Sequence, residues 1–186
     1  MRKRVVQAGG FEVVDDGGVV RARLGLSDDD SPFVSLHDRD GRVRARFALS
    51  ADSSAGLAIG DEDGKIRATL GLASDGSASL ALGDKNGRIR AKFGLASEGS
   101  PTFGLQDRDG EMKFVFTLAQ QGSPTVGLYD DDGKVRARLG LAAEGSPILR
   151  LLDKDGELKA LLGLSNDGTP VMRLLGDDGE TLWTAP

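Results

Sequence analysis

The stretch Asp84–Ser100 reads DKNGRIRAKFGLASEGS. Two glycine-bearing turns flank a run in which Ile89, Ala91, Phe93 and Leu95 alternate with Arg90, Lys92 and Gly94. A period of two places every second side chain on one face of a β-strand. The run before it, Ser79–Gly83, alternates in the same way around Leu80 and Leu82. A helix needs a period near 3.6, and 27 glycines in 186 residues would sustain helices poorly. The unit is two strands and two turns.

The phrase then returns along the chain. Its turn glycine recurs at Gly18, Gly41, Gly64, Gly87, Gly110, Gly133, Gly156 and Gly179, always 23 residues apart and without an insertion. A fixed period of this length marks a repeat architecture. The chain divides into an N-terminal lead-in over residues 1–10 and a single β-repeat domain over residues 11–186. That domain holds about seven full units, with partial units at both ends.

Turn chemistry sets the pairing, because residues opposite one another on paired strands share a face. A two-residue loop at Asn86-Gly87, both with positive φ, sets Leu82 against Ala91 and Leu80 against Phe93. At Ser74–Gly76 a two-residue loop would oppose Leu72 with Ser79. A three-residue loop closed by a left-handed Gly76 opposes it with Ala78, and Leu70 with Leu80. Prolines at Pro32, Pro101, Pro124, Pro147 and Pro170 mark strand starts, where proline is tolerated. The expected fold is all-β, an antiparallel hairpin meander forming an extended sheet and completed by self-association. A parallel β-solenoid is the alternative, since it also repeats its apolar rows.

Stacked repeats turn positions into rows. One apolar row holds Leu49, Leu72, Leu95 and Leu141, and another holds Leu82 and Leu105. About 16 nine-residue strands would carry an apolar face on the order of 2,000 Å², and soluble monomers rarely expose more than a few hundred. The chain has no helix to cover such a face, so other copies are expected to do so, with a trimer placed slightly ahead of a dimer. These six leucines are the candidate oligomer face. Phe114 and Trp183 interrupt a row that is otherwise alanine, and Trp183 is expected to be a buried C-terminal plug.

The other face carries a basic row, with Arg21, Arg44, Arg67, Arg90 and Arg136 as candidate contacts for an anionic polymer, either a glycan or a nucleic acid. The plainer reading is a solvated face with acidic turns. A net charge of −5 and the lack of interleaved aromatics argue against nucleic acid. Turn sequences such as DRDG resemble pieces of calcium loops but lack the further acidic positions those loops need. His37 is the only histidine and there is no cysteine, so no catalytic residue, metal site or cofactor is assigned. The expected protein is a non-enzymatic stalk, fibre or scaffold. No signal peptide or membrane helix is read in this chain, and its location is left open.

With the motif in hand, the segment DDDGKVRARLGL at Asp130–Leu141 resembles a group of uncharacterised bacterial proteins built from D-x-x-G-x-x-R-A-x-L-G-L units. That resemblance implies a bacterial origin and carries no assigned activity.

Overall fold

A computed structural model describes residues 8–96, 99–119, 122–142 and 145–185. Sixteen antiparallel strands follow one another in chain order in a single open sheet. The first seven are β1 Gly10–Val14, β2 Val20–Leu26, β3 Pro32–His37, β4 Val43–Leu49, β5 Ala55–Gly60, β6 Ile66–Leu72 and β7 Ala78–Gly83. Then come β8 Ile89–Leu95, β9 Pro101–Gln106, β10 Met112–Leu118, β11 Pro124–Tyr129 and β12 Val135–Leu141. The last four are β13 Pro147–Leu152, β14 Leu158–Leu164, β15 Pro170–Leu175 and β16 Thr181–Ala185. Backbone packing separates two units, Met1–Ile89 and Arg90–Pro186. The meander replaces the solenoid alternative, because every described pairing is antiparallel between consecutive strands.

Six-residue and seven-residue strands alternate through the interior, and two kinds of turn join them. The turn at Ser74–Gly76 has the expected three-residue form, with Leu72 opposite Ala78 and Leu70 opposite Leu80. The Gly76 amide donates to the Ala73 carbonyl at 2.9 Å, and Gly76 takes φ +81°.

The other turn corrects the sequence expectation. It is not a two-residue loop with two left-handed residues. The Asp84 amide donates to the Arg88 carbonyl and the Gly87 amide to the Asp84 carbonyl, both at 2.8 Å. That closes a three-residue loop in which glycine alone takes the left-handed conformation, φ +78°. One repeat earlier, the extra residue is absorbed within the strand. Ile59 pairs with Ala68 but Gly60 pairs with Ile66, which leaves Arg67 unpaired at a β-bulge. The bulge restores the parity that the longer loop would have broken. Ile59 still faces Ala68 and Leu57 still faces Leu70, so the apolar faces are those read from the alternation.

Turn aspartates explain the first letter of the motif. Asp61 Oδ1 accepts the Asp63 amide at 3.1 Å and the Lys65 amide at 2.9 Å. Asp38, Asp107, Asp130 and Asp153 repeat this geometry. The carboxylate satisfies backbone donors that the tight loop would otherwise strand.

Candidate interaction surfaces

Within each unit, the described residues place no second layer on either face of the sheet. No large side chain among the described residues is fully buried. In the first unit Leu49, Leu72 and Leu82 lie on the apolar face, about half exposed, and Phe47 beside them reaches 56%. In the second unit Leu95, Leu105 and Leu141 do the same, from 38% at Leu105 to 44% at Leu95. Sequence reasoning named two leucine rows and passed over the row between them. That row contains Val34, Phe47, Leu57 and Leu70 in the first unit. Phe103, Phe116, Val126 and Leu139 continue it in the second. Its signal was the large residue two positions before the end of each seven-residue strand. Trp183 corrects a further expectation. It sits on the apolar face opposite Leu174 and is 48% exposed, so it is no buried plug. A single layer has no interior for a plug to fill.

On the opposite face the basic residues Arg44, Arg67, Lys113, Arg136 and Lys159 each lie within 4 Å of the aspartate of their own turn. Arg67 Nη1 lies 3.2 Å from Asp61 Oδ2, while its Nε donates to the Gly83 carbonyl of the next hairpin at 3.0 Å. Arg44 makes the same carbonyl contact with Gly60, and Arg90 with Gln106, both at 2.9 Å. Arg136 Nε lies 3.7 Å from Asp130 Oδ2. Lysine at this position spans two turns. Lys113 Nζ reaches Asp107 at 3.2 Å and Asp131 of the next hairpin at 2.7 Å. Arg21 and Arg136 each keep one buried Nη1 without a hydrogen-bond partner. The five candidate arginines therefore lie in line along one row within their units, and Arg44, Arg67 and Arg90 are engaged in stitching neighbouring hairpins.

A second basic row lies flat over small neighbours. Ser35, opposite both Arg23 and Arg46, is 2% exposed. The Arg46 and Arg23 guanidinium carbons stand 4.2 and 5.5 Å from the Phe33 ring centre, a cation–π arrangement. His37 closes its own turn: Nδ1 donates to the Gly41 carbonyl at 3.1 Å, leaving Nε2 to accept the Ser35 hydroxyl at 2.9 Å. Both ring nitrogens are thereby used in local structure.

Several turn carboxylates, Asp61, Asp153 and Asp167 among them, are held below their ordinary range by the donors around them. The Ser165 hydroxyl, then the Thr169 amide, lower Asp167 from 3.8 to about 2. The Lys65 amide is the largest influence on Asp61, and the Glu157 amide on Asp153, both downward. A depressed folded-state value stabilises the fold above the unfolded value and loses that contribution as pH falls through the folded one. The melting temperature is therefore expected to decline steadily from pH 5 to pH 2. A melting temperature that stays flat across this window would mean the turns do not depend on ionised aspartate.

No protein-family profile matches the chain, and no curated protein matches it in sequence. A solved structure does share its fold. The TCP domain of Drosophila melanogaster SAS-4 (dCPAP), solved in complex with a proline-rich motif of Ana2 (dSTIL), superposes with a TM-score of 0.51. The match covers 92% of this chain and 94% of that one at 11% identity. The wild-type TCP10 domain of Danio rerio CPAP aligns over 94% of this chain and 99% of its own at 17% identity, with a TM-score of 0.28. At that overlap it supports no further comparison. The likeness to the SAS-4 domain is one of fold. Among the described residues, no helix is long and apolar enough to cross a membrane.

Proposed function

We propose that this chain is a non-enzymatic structural protein whose leucine face is covered by other copies of itself. The observation that carries the reading is the apolar face left about half exposed in both units. The chain exposes 12994 Å², whereas a compact protein of its mass exposes about 8,500 Å². A second copy fits this face because it offers the same uncharged rows at the same 23-residue spacing. The SAS-4 domain, captured with a protein motif, supports an interaction role for this kind of sheet.

The single tryptophan makes the test direct. Trp183 lies on the face to be covered. At micromolar concentration its emission is expected to be blue-shifted and shielded from acrylamide, and to move red on dilution. Red, fully quenched emission at every concentration would show a bare face.

A second reading, binding of an anionic polymer, rests on a different observation. Arg138 stands directly opposite Arg150, and among the described residues neither forms an ion pair. Like charges directly opposite each other cost stability unless an anion joins them. If heparin uses this pair, Arg150→Ser is expected to weaken its binding and flatten the salt dependence of that binding. Unchanged heparin binding would remove the pair from consideration.

A further inference from the structure

Among the described residues, the two outermost strands, β1 and β16, each leave one edge of backbone amides and carbonyls unpaired. Their registers show where they stand in the repeat. Val13 of β1 opposes Ala22 as Leu36 of β3 opposes Ala45, 23 residues later, so β1 has the register of the six-residue strands. Trp183 of β16 opposes Leu174 as Ala160 of β14 opposes Leu151, so β16 has the register of the seven-residue strands. The array therefore begins on one strand type and ends on the other. The strand that the pattern requires after β16 is one of β1 type.

We propose that β16 of one copy pairs antiparallel with β1 of the next, in the register of the internal β14–β15 joint. There Ala160 opposes Leu174, Leu161 opposes Arg173 and Leu162 opposes Met172. Carried along the period, those pairs become Trp183 with Val13, Thr184 with Glu12, and Ala185 with Phe11 of the next copy. Apolar side chains meet apolar ones on the leucine face. On the opposite face Glu12, already 3.5 Å from Arg23, meets a threonine.

The β16 edge lacks the charge and proline that usually forbid such pairing, and β1 carries a single charge, Glu12. β16, Thr181–Ala185, contains no charged residue and no proline. Leu182 stands where the interior strands carry Arg136 and Lys159, and it is 72% exposed. Lysine, arginine or proline at an edge is the common protection against strand addition. Joining β1 to β1 instead would bring Glu12 toward its own copy, and like charges across a pair repel. The head-to-tail joint uses two different surfaces, so every copy added leaves a free β1 or β16 edge for the next until a ring closes. Each strand offers only five residues, and the joint is correspondingly weak taken singly.

A covalent trap suits a weak joint, and the chain has no cysteine of its own. The double variant Glu12→Cys/Thr184→Cys of this 186-residue chain is oxidised and run on a non-reducing denaturing gel. A ladder of covalent multimers is expected. In Phe11→Cys/Thr184→Cys the two thiols point to opposite faces, and the ladder should be at least about tenfold weaker, because Cβ vectors that point apart cannot be bridged. Mixing the two single variants Glu12→Cys and Thr184→Cys should give mainly the heterodimer. The absence of a ladder, equal ladders from both double variants, or a predominance of homodimers would each overturn the proposal. Glu12 and Thr184 lie on the face away from the leucines, so failure here leaves the leucine-face reading standing, and the reverse holds too.

Discussion

Leu95→Asp is expected to disperse the assembly while leaving the isolated chain folded. Leu95 lies at the end of β8, opposite Pro101, and is 44% exposed in the single chain. In isolation its carboxylate would meet water, and the loss would be that of a half-buried leucine. Against a second leucine face the same carboxylate would be buried with no partner. That costs at least about 3 kcal/mol, or more than about a hundredfold in the dissociation constant. Arg90→Ser is the matched control on the opposite face. It removes the Nε bond to the Gln106 carbonyl and should cost under about 1 kcal/mol of stability, with no change in solution mass. Sedimentation of both variants decides the point. Equal effects on assembly would mean that the faces are assigned the wrong way round.

Gly163→Ala is expected to be the most damaging of the small substitutions. A methyl group at Gly163 would sit 2.6 Å from the Pro147 carbonyl oxygen and 3.1 Å from the Ile148 Cα. Both are backbone atoms of the paired strand β13 and cannot rotate aside. The β13–β14 ladder would have to part, at a cost of roughly 1–3 kcal/mol. Gly9 has open space around it, and Gly9→Ala should stay within about 0.5 kcal/mol. Chemical denaturation of the two variants separates them. A neutral Gly163→Ala would show that the strands can separate locally at no cost.

Strand faces were legible because alternation is a property of the chain itself. Leu72 opposite Ala78 follows from counting residues once the loop is known. The Asn86-Gly87 turn was not legible, because two geometries leave the strand bodies in the same register. A two-residue loop does so, and so does a three-residue loop with a bulge, as at Arg67. The bulge is also what hid the partners of the basic row. A regular strand gives no reason for Arg67 to reach back to Asp61, six residues earlier, yet the bulged one sets them 3.2 Å apart. Charge alone made Arg44, Arg67 and Arg90 look available to a ligand. Their bonds to Gly60, Gly83 and Gln106 carbonyls show a structural use that composition does not encode. Trp183 was misread for a related reason. A large residue in an alanine row suggests a cap only if there is a closed core to cap, and this sheet has two open faces.

The most direct test of the central claim is solution mass by light scattering over a wide range of concentration. The account predicts an integral multiple of the chain mass, 19.5 kDa, falling toward a single chain only on strong dilution. A constant 19.5 kDa species at high concentration would contradict it, because the leucine face would then be stable bare in water.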